Sequence, residues 1–154
     1  MLLRFSARGG AVLLLSAALA NASCSGRSQT TRVVDITGIN YAFQAPATLA
    51  PGPARVRFVN AGTVPHEVQF FVFKAGLSPD SVRALLNLEH FPDSLADSAG
   101  AVLIAAPHTT TPEQVYVDLL PGRVYGLVCQ FRDSAKAQRH DRMGMFGVLQ
   151  VDRR

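Results

Sequence analysis

The chain has 154 residues, 48% of them apolar, and a formal net charge of +4. That length holds one domain with a proper core and is too short for two. Setting aside the first 24 residues, with Arg4 and Arg8, leaves 13 basic against 11 acidic residues. This mild excess has no basic stripe interleaved with aromatics and argues against a nucleic-acid partner.

Residues 1–24 read as an export signal. Arg4 and Arg8 precede the apolar run "AVLLLSAALA", small residues follow, and the run is too short to span a bilayer as a mature helix. Two endings compete. "ALANA" fits cleavage after Ala22, whereas "ANASC" resembles a bacterial lipoprotein box in which Cys24 is lipidated, with Asn21 standing where Leu is usual. The lipidated ending is preferred, because the alternative leaves a loose exposed thiol near the mature N-terminus. Either ending places the protein in the periplasm or cell envelope, touching the membrane only through an anchor at Cys24. "SGRSQTT" (25–31) reads as a flexible tether, and 32–154 as the folded domain.

Along the domain the pattern is mainly period two. "RVVDIT" (32–37) and "YAF" (41–43) open it. In "ARVRFVN" (54–60) Val56 and Phe58 alternate with Arg55 and Arg57. His66, Val68, Phe70 and Val72 share one face of "HEVQFFVF". In "QVYVDLL" (114–120) Val115, Val117 and Leu119 stand against Gln114, Tyr116 and Asp118. "VYGLVCQ" (124–130) sets Tyr125, Leu127 and Cys129 on one side, and "FGVLQVD" (146–152) closes the chain. Turn signals at "APGP", "NAG" and "LPG" separate these runs, and short alternating strands so spaced describe an all-β sandwich. One stretch breaks the pattern. "SPDSVRALLNL" (78–88) offers Ser78 as an N-cap, Pro79 at the first helical position and Asp80 in the first turn, with Val82, Leu85 and Leu86 on one face. From there to about 112 the text is turn-like and carries His90 and His108, read as exposed loop histidines. Residues 74–112 are therefore expected to form an inserted helix-plus-loop excursion.

Cysteine usage raises the functional question. Export favours disulfides, yet Cys129 is the domain's single internal cysteine. A lone cysteine is ordinarily a buried small apolar residue, so its neighbours decide the matter. His140 follows after ten intervening residues, Met145 comes five positions beyond it in "HDRMGM", and "NAGTVPHEV" supplies His66 at the start of another strand. A thiolate, two imidazoles and a weak axial thioether are the donor set of a trigonal His₂Cys copper site.

"FQAPATLAPGPARVRFVNAGTVPHEVQF", "LLPGRVYGLVC" and "HDRMGMFGVLQV" together resemble the cupredoxins, the plastocyanin- and azurin-like blue type 1 copper domains. The likeness covers roughly 33–73 and 114–152. It implies a Greek-key β-sandwich and one copper held by His66, Cys129, His140 and Met145, with His140 nearest the surface as the electron exit. The chain departs from the family pattern in three places. Plastocyanins and azurins put only a few residues between cysteine and histidine; Glu67 stands where Asn commonly braces the cysteine loop; and Met143 competes with Met145 as axial ligand.

The resemblance implies a small electron carrier cycling between Cu(I) and Cu(II), not an enzyme. It would dock transiently with a redox protein such as a cytochrome or oxidase. Arg132, Lys136, Arg139 and Arg142, set against Asp133 and Asp141, would form a mildly positive rim. Nothing points to an oligomer. The alternatives are a periplasmic copper-binding carrier that works by exchange, and a metal-free cupredoxin-like binding module.

Overall fold

Alternating side chains become strands throughout the described residues, 31–90 and 93–154, of a computed structural model. The export signal, Cys24 and all of the tether but Thr31 lie outside the described residues. The strands are β1 (Arg32–Ile39), β2 (Ala42–Gln44), β3 (Thr48–Leu49), β4 (Gly52–Asn60), β5 (His66–Phe73), β6 (Ala96–Ala105), β7 (Thr109–Thr110), β8 (Val115–Leu119), β9 (Val124–Val128) and β10 (Phe146–Val151). They form two sheets. One runs β2-β1-β4, with β7 and β8 both pairing along β4; the other runs β3-β10-β9-β5-β6. The β1/β4 and β3/β10 pairs are parallel and the remaining pairs antiparallel. The fold is the all-β sandwich expected, two sheets packed face to face.

Between the sheets, Val34, Ile36, Val56, Phe58, Val68, Phe70, Tyr125 and Leu127 form one buried cluster. These are the inward positions of the alternating runs, and burying each large apolar side chain contributes about 1.5–3 kcal/mol.

Two runs are apolar on both faces, "QFFVF" in β5 and "VYGLV" in β9. The reason is the helix α1 (Pro79–Leu86), which lies on the outer face of the second sheet. Its Val82 and Leu86 pack with Phe71, Phe73, Val124 and Val128 in a second buried cluster. Gly126 makes this close approach possible: a Cβ there would sit 2.8 Å from the Phe73 ring and 3.2 Å from Leu86 Cδ1. Ser78 caps the helix by accepting the Ser81 N–H at 3.1 Å, with Pro79 opening the first turn, as expected.

The excursion is shorter than the sequence suggested. Its helical part is present, but the turn-like reading of the stretch up to 112 is corrected by β6, which begins at Ala96 and pairs along the whole of β5. Small and polar residues in "ADSAG" hide the strand, and its pairing with a strand already fixed in the core overrides weak local propensity. His90 and His108 are exposed, as expected.

Candidate metal centre

The four candidate donors converge at one end of the sandwich. His66 opens β5, directly after the 61–65 turn. That turn is held by the buried Asn60, whose Nδ2 donates to Val64 O at 2.8 Å and Ala105 O at 3.0 Å while Oδ1 accepts the Gly62 N–H at 2.9 Å. Cys129 follows the last residue of β9, where it continues the inward face of Tyr125 and Leu127. His140 begins a 3₁₀ turn (His140–Met143), and Met145 immediately precedes β10.

Ten residues between Cys129 and His140 do not separate them. The loop is pinched at its base: the His140 N–H donates to Phe131 O and the Asp141 N–H to Cys129 O, both at 2.8 Å. The Met145 N–H donates to His140 O at 2.9 Å, and the Cys129 N–H to Met145 O at 3.1 Å. The extra residues therefore project outward, and the ligand segment stays as compact as a short loop would make it.

Both imidazoles turn Nδ1 toward the sulfur. Cys129 Sγ lies 3.4 Å from His140 Nδ1 and 3.9 Å from His66 Nδ1, and the two nitrogens are 3.1 Å apart. The centre of that triangle lies about 2.0 Å from each corner, a metal-to-nitrogen bond length and slightly short of a metal-to-thiolate one. Relative exposures are 0% for His66, Cys129 and Met145 and 1% for His140. Burial and the neighbouring His140 lower the His66 pKa, which keeps its imidazole neutral and able to ligate. His66 Nε2 is buried and has no hydrogen-bond partner among the described residues. Burial pushes the Cys129 thiol up to about 11, against the opposing effect of the Glu67 N–H that donates to Sγ at 3.4 Å. Such a thiol ionises at neutral pH only if a cation compensates it. The donor set, the spacing and the enclosure all fit a soft, thiophilic metal.

The surroundings answer the other two departures. Glu67 takes over the brace: its Oε1 accepts the Gln130 N–H at 2.9 Å, so a carboxylate ties the cysteine segment to β5. Met143 is 42% exposed while Met145 is enclosed, its methyl beside Gly38 and the Phe58 ring.

His140, expected nearest the surface as the electron exit, is 1% exposed and has its outer nitrogen covered. Its Nε2 lies 3.0 Å from Asp133 Oδ1, which assigns the ring proton to Nε2, and Asp133 Oδ2 accepts the Tyr41 hydroxyl at 2.6 Å. That hydroxyl is the first cause of a lowered Asp133 pKa, so the carboxylate is ionised. Tyr41 stands edge-on to both histidines. Sequence reasoning missed Tyr41 and placed Asp133 only on the rim, since nothing in "NYAF" or "FRDS" marks a contact across 92 positions.

The rim is less basic than its composition suggests. Asp141 is turned inward and is held by Arg139 in a two-pronged contact and by Arg142. Arg142 also donates to Leu86 O, Asn87 O and Leu88 O at 2.9, 3.3 and 2.6 Å, capping the C-terminal end of α1. The helix excursion is thereby tied to the segment that carries His140.

No family model matches the chain, and no curated protein matches it. Solved structures do. Reduced auracyanin from the photosynthetic bacterium Roseiflexus castenholzii aligns at 19% identity with a TM-score of 0.49, covering 79% of this chain and 97% of its own. Auracyanin A, a "blue" copper protein from Chloroflexus aurantiacus, aligns at 17% identity and 0.46, covering 80% and 100%. A reduced amicyanin variant aligns at 20% identity and 0.42, covering 79% and 82%.

Proposed function

We propose that this chain is a blue-copper electron carrier of the cupredoxin type, with His66, Cys129 and His140 as the trigonal ligands and Met145 as the axial one. The observation that carries the reading is the meeting of Cys129 Sγ with two imidazole Nδ1 atoms in one buried triangle. Copper bound there supplies a one-electron Cu(I)/Cu(II) couple. The protein's part is to hold the donors still. His66 is fixed by the Asn60-braced turn, Cys129 by Glu67, and the His140 and Met145 backbones by their hydrogen bonds to each other and to Cys129. A frame held by these bonds would let both oxidation states share one geometry. With all four donors enclosed, no side of the site is open to a substrate, which supports a carrier over an enzyme. The same enclosure favours retained metal over a carrier that works by exchange.

Export to the periplasm or cell envelope, with Cys24 lipidated, is part of this proposal and rests on the leader sequence alone. The partner is an acidic-faced redox protein such as a cytochrome or oxidase. It would be met transiently through exposed Arg132 and Lys136 rather than through Arg139 and Arg142, which are committed to Asp141. The experiment is direct. Cu(II) added to the purified metal-free protein should produce an intense visible thiolate-to-copper band, absent in Cys129→Ser and abolished or displaced in His140→Ala. A wild-type protein that takes up no copper overturns the proposal.

A further inference from the structure

We infer that Tyr41 and Asp133 form a latch that positions the His140 imidazole by its outer nitrogen and closes the pocket over Cys129. The inference rests on the copper reading only where copper serves as the probe.

Three observations carry it. The Asp133 carboxylate is shared, one oxygen 3.0 Å from His140 Nε2 and the other accepting from Tyr41 Oη at 2.6 Å. The Tyr41 ring stands edge-on to both imidazoles, its centroid 4.9 Å from His140 and 6.0 Å from His66. And Tyr41 reaches that place from a two-residue turn in which Asn40 and Tyr41 have φ of 37° and 66°. Asn tolerates such a backbone, whereas a bulky aromatic rarely adopts it and is kept there by what its side chain touches.

The chemistry follows from acceptor placement. A carboxylate facing Nε2–H fixes the tautomer in which the Nδ1 lone pair turns inward, toward the sulfur 3.4 Å away. Asp133 is available for this because the loop is long. Residues 132–139 lie beyond the pinched base, and Asp133 folds back from them while its own side chain stays 36% exposed. His140 is only 1% exposed beneath it. The added loop length thus supplies a cover, hooked to the β1–β2 turn by a single phenol-to-carboxylate hydrogen bond. Tyr41 and Asp133 are positioning residues, since neither belongs to the donor set.

The test needs no metal for its main arms. A Cys24→Ser background leaves Cys129 as the sole thiol. In metal-free protein, iodoacetamide should alkylate Cys129 about tenfold or more faster in Asp133→Ala, and several-fold faster in Tyr41→Phe, which keeps the ring and loses the hook. Nitrogen-15 NMR should show His140 as the Nε2–H tautomer in wild type and Tyr41→Phe, and as a mixture in Asp133→Ala. Loss of packing alone would not move that signature. Combining the two changes should add little to Asp133→Ala, because both break one chain of contacts. With copper loaded, a bathocuproine chelator should strip Cu(I) about tenfold faster from Asp133→Ala. Unchanged alkylation together with an unchanged tautomer overturns the latch, in either variant if the other does not fold. A wild type without the thiolate-to-copper band overturns the copper reading while the alkylation and tautomer results still decide the latch.

Discussion

Replacing Asn60 by Ala tests how the first imidazole is held. Asn60 is 1% exposed and makes three hydrogen bonds, to Val64 O, Ala105 O and the Gly62 N–H, at 2.8, 3.0 and 2.9 Å. Each such bond contributes a net 0.5–1.5 kcal/mol, and partners left buried without replacement cost more, so the change should destabilise the fold by about 3 kcal/mol. For a domain of this size that corresponds to a fall in Tm of about 10–15 °C. Urea unfolding of the metal-free protein measures it as a lower midpoint at unchanged slope. Asn60→Asp sharpens the test, because it keeps the shape and the acceptor for Gly62 but turns carboxylate oxygens toward two carbonyls. At neutral pH it should destabilise at least as much as Ala. A loss below about 1 kcal/mol for Ala, or near-normal stability for Asp, would refute the claim that this amide organises the turn ahead of His66.

The thioether assignment predicts that Met145→Leu alters the copper spectrum and potential, whereas Met143→Leu leaves both unchanged; the reverse outcome assigns Met143. Glu67→Ala removes the acceptor of the Gln130 N–H and should weaken copper binding by about tenfold in a competition titration, while Glu67→Gln, which keeps an acceptor oxygen, stays close to wild type. The thiol gives a pH dependence with a defined sign. Because Cys129 is raised from 9.0 to about 11 in the folded protein, the unfolded chain ionises first, and the stability this group contributes is complete below pH 9 and lost as pH rises through 11. Urea midpoints of the metal-free protein should therefore fall over that range more steeply than those of Cys129→Ser, and equal slopes would show that the thiol is not buried as described.

The sequence determined what local patterns can determine. Alternation placed seven of the strands in outline, because an inward face every second residue follows from the pleat itself, and Ser78-Pro79-Asp80 announced the helix through its caps. The donor types at 66, 129, 140 and 145 were legible because few side chains suit a thiophilic metal. Other features belonged to the tertiary structure. Strand β6 exists because β5 offers a pairing edge, a long-range reward that outweighs the weak propensity of "ADSAG". The second apolar face of β5 and β9 has meaning only once α1 covers it. Whether ten residues would part Cys129 from His140 was decided by backbone hydrogen bonds at the loop's base, and the cover over His140 by a contact between residues 41 and 133. Propensity and periodicity act over a few residues, whereas a buried site is closed by groups distant in the chain, whose pairing is specified only when the whole fold brings them together.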